Sequence, residues 1–474
     1  METLHELGLA ETGARLRRGE LSAVALCEHY LERIRHLDPT LGALRLRTEA
    51  RALASAEAAA SLFDAGVDLG PLQGIPYVTK DLFDVAGLVT TAGSRVHEER
   101  VAAQDATVTR RLAAGGAVLL GKTNTVEFAF GSIGTNHSHG TPWNPWSSTH
   151  HVPGGSSSGS AVAVAAGLAA VATGTDTACS VRTPAALCGI VGLKTTVGRV
   201  SRAGVHPLSA TLDSVGPLAR RVEDAALMFD ALQGEDTGDS TTVGVRSLDV
   251  LTTLRAGVRG LRVGVAEGWL FEEVEPAVER AVREAAQVLA DLGAVVSSVE
   301  FTEAAEVMSR PSPVSMVEGY AVNGAFIESQ PELLDPVVRD RMAPGGDIPA
   351  VAYRRALDDL EPLRASAARR FDQFDVLLGP TCPLAAAPVE AVDQGFDTYM
   401  DFGRRYLQNC FPGNLLRLCG ISVPCGFTEQ GLPIGLMLYG APFREDMVLR
   451  VAQAFEDATA WHRQQPDLSW IDAP

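Results

Sequence analysis

The stretch Gly154-Gly155-Ser156-Ser157-Ser158-Gly159-Ser160 runs through an alanine- and valine-rich segment into Gly174-Thr175-Asp176-Thr177-Ala178-Cys179-Ser180-Val181-Arg182-Thr183-Pro184. A glycine- and serine-rich loop by itself reads as a flexible connection. This one leads straight into an apolar helix and a strand, and a second serine-bearing loop follows. Ser156 and Ser180 therefore stand in loops crowded with backbone N–H groups. Such loops can hold a hydroxyl nucleophile and stabilise an oxyanion. The longest apolar run, Ala161 to Ala172, is too short for a membrane span, which needs roughly 20 residues. It reads as a buried core helix.

Outward from this segment, strands alternate with helices. The first sixty residues read as helix, with Leu26, Tyr30, Ile34 and Leu37 in one apolar stripe. A strand follows from Ile75. Ala106 to Ala114 reads as a helix ended by Gly115-Gly116, and Ala117 to Gly121 as a strand. Leu261 to Ala266 and Ala294 to Phe301 are strands around a helix starting at Pro276, with Val278, Val282, Ala285 and Leu289 on one face. Phe374 to Leu378 is a further strand, and Ile421 to Phe427 pairs with Leu432 to Tyr439 as a hairpin. This alternation predicts an α/β protein, a single α/β/α sandwich with a large mixed central sheet covered by helices. One domain over 1–474 is the economical reading, with the catalytic core at about 70–220. The least patterned part, about 302–350, contains Met308, Pro311, Pro313, Met316 and Gly345-Gly346. It is expected to be a variable insertion of loops and helices that shapes specificity.

Composition narrows the function classes. A formal charge of −18 argues against a nucleic-acid-binding surface, which needs clustered Lys and Arg. Seven cysteines without a C-x-x-C pair indicate neither a zinc ribbon nor a disulfide framework, and fit reduced thiols in a cytoplasmic protein. The start Met1-Glu2-Thr3-Leu4-His5-Glu6 has no apolar core of a signal peptide. His137, His139, His150 and His151 have no acidic or thiol ligand at suitable spacing, so a metal site is not expected.

The serine loops closely resemble the signature of the amidase signature family of serine hydrolases. That pattern is GGSSGGS, a helix, and GTDxGGSxRxPAxxCGxxGLKPT; here it reads GGSSSGS, then GTDTACSVRTPAALCGIVGLKTT from Gly174 to Thr196. Gly74 to Asp81 resembles the family's catalytic-lysine strand, and Gly121-Lys122-Thr123-Asn124 with Glu127-Phe128 its next block. Ile421 to Gly426 and Gly431 to Gly435 also have counterparts, so the resemblance spans nearly the whole chain.

The resemblance implies the same fold and a serine amidohydrolase that needs no metal or organic cofactor. Residue by residue, Ser180 matches the nucleophile, Ser156 the bridging serine after a cis peptide bond, and Lys80 the base, which must be neutral to act. The backbone N–H groups of Thr177, Ala178, Cys179 and Ser180 match the oxyanion hole. Asp176 and Arg182 match a supporting polar pair, and Ser157 a bracing serine that could equally be a helix N-cap. Ala178-Cys179 departs from the family's Gly-Gly, which adds bulk and restricts φ; Ser158 for glycine is a milder change. With Met308, Met316 and Phe326, that bulk predicts apolar or aromatic substrates over small charged amides.

Expected partners are a small-molecule amide, carbamate or ester, with no nucleic acid, no membrane and a possible homo-oligomer. The alternatives are a carbamate or ester hydrolase with the same triad, a component of the glutamine-dependent tRNA amidotransferase (its glutamyl-tRNA amidase-type chain), and an inactive scaffold. Gly155 to Gly159 also satisfies G-x-S-x-G, with Ser157 as nucleophile and His206 or His462 as base. That elbow needs a preceding strand, and His150-His151-Val152-Pro153-Gly154 does not read as one.

Overall fold

The computed structural model describes residues 3–310 and 312–472; the Met1-Glu2 start and Pro311 lie outside it. One mixed sheet of eleven strands organises the chain. They are β1 (Leu44–Arg47), β2 (Pro76–Lys80), β3 (Val118–Thr123), β4 (Val171–Asp176), β5 (Val191–Lys194), β6 (Ser214–Ala219), β7 (Arg262–Glu267), β8 (Val295–Glu300), β9 (Val376–Pro380), β10 (Cys419–Phe427) and β11 (Pro433–Gly440). Their spatial order is β1-β3-β2-β4-β6-β5-β10-β11-β9-β7-β8. Two parallel wings, β3-β2-β4 and β9-β7-β8, flank an antiparallel centre. Strands buried on both faces need apolar residues at every position, and β2, β3, β4, β6 and β9 are buried throughout.

Helices cover both faces. On β11, Gly435 packs against Ala186 of helix Arg182–Leu187, and Gly440 against Val448 of helix Glu445–Ala458. Successive side chains on a strand point to opposite faces, so these two helices lie on opposite sides of the sheet.

Two stretches differ from the sequence reading. The first sixty residues are not all helix: β1 interrupts helices Ala23–Leu41 and Glu49–Asp64 and pairs antiparallel with β3. Its four residues are too few to show a period of their own. The run Ala161 to Ala172 is not one helix either. Helix Ser158–Ala165 stops, Gly167 turns at φ 66°, and the remainder enters β4. A fully buried helix and a fully buried strand are both apolar all round, so composition could not locate that boundary. The insertion at 302–350 is mostly helical, with helices Thr302–Ser309, Val314–Ser329 and Pro336–Met342. Among the described residues no helix is long and apolar enough to cross a membrane.

Candidate active site

β2 and β4 are parallel neighbours, with Thr79 opposite Thr173. Their carboxyl ends therefore share one edge of the sheet, the usual place for a ligand crevice in such folds. Lys80 closes β2 and Asp176 closes β4. The glycine-serine loop lies on top of them, packed rather than flexible. A Cβ on Gly159 would meet the Ala43 carbonyl at 2.2 Å, and one on Gly155 the Gly134 nitrogen at 2.8 Å. No strand precedes Ser156, as the G-x-S-x-G elbow would require.

The Gly155–Ser156 peptide bond is cis. The Ser156 carbonyl is held by Val126 N–H at 3.2 Å and the Thr125 hydroxyl at 2.8 Å. The two serine loops are tied together by Ser157 N–H donating to the Ser180 carbonyl (3.2 Å) and Cys179 Sγ to the Gly155 carbonyl (3.6 Å). The Ser180 hydroxyl makes no protein hydrogen bond among the described residues, so it is free to turn.

Lys80 is fully buried, and its Nζ lies 2.8 Å from Ser156 Oγ, 3.0 Å from Ser157 Oγ and 2.8 Å from Thr175 Oγ1. Burial pulls its pKa down to about 7, against the opposing effect of the Asp176 and Asp213 carboxylates. Every partner of Nζ is a hydroxyl, which can donate as well as accept. A neutral amine is therefore satisfied here. Ser157 occupies the N-cap position of helix Ser158–Ala165 without making a capping hydrogen bond; its hydroxyl faces Lys80 instead. Burial works against the Asp176 carboxylate, but the Arg182 guanidinium at 3.0 Å holds its pKa at about 2. Asn414 and Tyr439 complete that buried network.

None of the N–H groups of Thr177, Ala178, Cys179 and Ser180 donates to a protein acceptor among the described residues, whereas the next one, of Val181, is taken by Asp176 (3.1 Å). Four adjacent unpaired donors beside a serine form a cradle for a negatively charged oxygen. Neither Ala178 nor Cys179 has positive φ. A Cβ at either position therefore costs nothing in backbone conformation, which is why Ala-Cys is tolerated there.

A cavity of about 180 Å³ opens over Ser180, lined among others by Phe130, Thr177, Cys179, Met316 and Arg341. Met316 is thus the one apolar residue of the three singled out from 302–350 that reaches it. Met308 packs into a core cluster and Phe326 against His97. Sequence reasoning does not single out Arg341. Its guanidinium lies over the Phe130 ring (4.8 Å) and donates to the Phe130 carbonyl (2.8 Å). No carboxylate among the described residues is within ion-pair distance of it. It is carried by helix Pro336–Met342, which Asp335 caps by accepting from Val337 and Val338 N–H. The same carboxylate anchors His137 at 2.8 Å, which pushes the imidazole up to about 9.

Comparison with known proteins now decides the family, because the Amidase profile matches residues 25–449. The chain belongs to the amidase signature family. It is 39% identical over 493 residues to the amidase-type component of glutamyl-tRNA(Gln) amidotransferase from Chloroflexus aurantiacus, covering 99% of this chain and 100% of that protein. It is 40% identical over 454 residues to the 2-amino-5-chloromuconic acid deaminase of Comamonas testosteroni, covering 95% and 96%. The peptide amidase of Stenotrophomonas maltophilia superposes with a TM-score of 0.83 at 33% identity, covering 97% and 98%. Amidase family enzymes act on carbon–nitrogen bonds, and this chain is one of them.

Proposed function

We propose that this amidase family enzyme is a serine amidohydrolase acting through an acyl-enzyme on Ser180, and that its substrate is a small amide carrying a carboxylate. The observation that carries the reading is the all-hydroxyl surrounding of Lys80, which lets a buried lysine serve as a neutral base. Neutral Lys80 accepts a proton from Ser156, which takes one from Ser180 as its oxygen attacks the carbonyl carbon. Four N–H groups then face the oxyanion. Lys80 returns the proton through Ser156 to the amide nitrogen, the C–N bond breaks, and the amine departs. Water repeats the sequence on the ester and frees Ser180.

Arg341 supports an anionic substrate rather than the apolar one expected from Ala178-Cys179 and Met316. A guanidinium with no carboxylate of its own, beside the nucleophile, matches a carboxylate in a bidentate pair. The test is two measurements on the purified protein. Fluorophosphonate labelling should modify Ser180, and a label on Ser157 would overturn the nucleophile. Arg341→Met should raise KM for a dicarboxylic half-amide about 100-fold while leaving that for an uncharged amide within a few-fold; equal changes would remove the carboxylate from the reading.

The reading as an amidotransferase component is favoured by full-length 39% identity to such a protein. It predicts stable co-purification with further subunits and weak hydrolysis by the chain alone. Substantial hydrolysis by the isolated chain supports the free-standing enzyme.

A further inference from the structure

A second cavity, about 280 Å³, lies beside the one over Ser180 and shares Ala129, Thr177 and Leu208 with it. Its walls are largely apolar, from Leu82, Val205, Pro207 and Ala210 among others. Two polar residues distinguish it. Thr175 is a hydrogen-bond partner of Lys80 (2.8 Å). Asp213 is a buried carboxylate held by the Thr177 hydroxyl (2.5 Å) and by the N–H groups of Leu208 and Ser209 (2.9 Å each). No cation among the described residues is within ion-pair distance of that carboxylate. Arg202, also in the wall, is tied to Asp239 at 3.2 Å and reaches only the Asp213 backbone carbonyl, at 3.4 Å.

We infer that this second cavity is the leaving-group site, and that it takes an amine bearing an uncharged alkyl or aryl substituent. The inference rests on the amidohydrolase reading and deepens it by assigning the two halves of the substrate. Two independent arguments set the orientation. The returning proton comes from Lys80 through Ser156, so the departing nitrogen must face the Lys80 side, where Thr175 lines this cavity. Charge agrees: a substrate carboxylate is drawn to Arg341 in the first cavity and repelled by Asp213 in the second. The wall between the cavities is Phe128-Ala129, two consecutive non-glycine residues with positive φ (51° and 59°). Such backbone is kept only where the surrounding structure enforces it, and here it places a small methyl side chain at the junction, leaving passage between the two chambers.

The experiment compares succinamate with its N-propyl, N-benzyl and N-(2-carboxyethyl) derivatives, in the wild type and in Ala210→Trp and Val205→Phe. Ala210 is exposed at the cavity rim, so added bulk there fills the cavity without entering the core. The wild type should hydrolyse the N-propyl and N-benzyl amides, and the N-(2-carboxyethyl) amide at least tenfold less efficiently in kcat/KM than the N-propyl one. Ala210→Trp should lower the ratio of kcat/KM for N-benzyl over primary amide at least tenfold, and Val205→Phe should lower it in the same direction. The inference is overturned if the wild type cleaves only the primary amide, if both variants keep the ratio within twofold, or if the carboxyethyl amide is as good as the propyl one. Absence of all half-amide turnover together with absence of Ser180 labelling would instead break the amidohydrolase reading, and the inference with it.

Discussion

Lys80 and Lys122 sit on adjacent strands, both with fully buried side chains, and differ in one respect that decides their chemistry. Lys122 Nζ contacts Asp81 Oδ1 at 2.5 Å, the Val89 carbonyl at 2.8 Å and Thr90 Oγ1 at 2.7 Å. A carboxylate and a carbonyl only accept hydrogen bonds, so that lysine must supply protons and stay an ammonium. Lys80 is surrounded by Ser156, Ser157 and Thr175, whose hydroxyls are satisfied by either protonation state. Burial lowers both pKa values. What separates a structural lysine from a candidate base is therefore the donor–acceptor character of the neighbours.

The largest effect expected from this comparison is in turnover. Lys80→Ala should lower kcat for amide hydrolysis by about four orders of magnitude, ~5.4 kcal/mol of barrier, because residues acting as one unit fail together. Matching ester hydrolysis should suffer less, since an alkoxide leaving group needs less help from a returned proton. If Lys122→Met abolished turnover of the folded enzyme while Lys80→Ala kept it, the assignment would be reversed.

Stability should respond the other way round. Lys122→Met strands the buried Asp81 carboxylate and should cost about 3–5 kcal/mol, read from urea midpoints. Lys80→Met leaves three hydroxyls and no directly paired carboxylate, so its cost should be clearly smaller. Equal costs would mean that the two environments are equivalent.

The pH profile sharpens the same point. A base must be unprotonated, so kcat/KM should fall tenfold per pH unit below about 7 and level off above it. The limb should survive replacement of His206, whose pKa burial already lowers to about 4; a limb erased by His206→Ala would implicate a histidine base. The smallest effect is expected at Thr175→Val. It removes one hydroxyl from Lys80 without touching Ser156, and should lower kcat by roughly tenfold, about 1.4 kcal/mol, with little change in KM.

Much of this is legible in the chain. Lys80, Ser156, Ser180, Asp176 and Arg182 all stand in local motifs, and the alternation of strands and helices points to a large mixed sheet. Arg341, Thr175 and Asp213 do not stand out in the same way. Arg341 sits in the least patterned segment of the chain, on a seven-residue helix, and nothing nearby in sequence marks it. The signal available is indirect: Asp335-Pro336 is a cap followed by a first-turn proline, which predicts a helix start but not where its arginine points.

The sequence by itself determined the family, the alternating architecture and the identity of the loop residues, because these are carried by contiguous motifs and by periods within single elements. Only the tertiary structure decided which side chains meet. Parallel pairing of β2 with β4 brings Lys80 within hydrogen-bond distance of Thr175, 95 residues away. Folding of the insertion across the sheet edge sets Arg341 in the cavity over Ser180. Ionisation follows from those meetings: a lysine's charge depends on its burial and on whether its neighbours donate or accept, and neither is a property of the lysine's place in the chain.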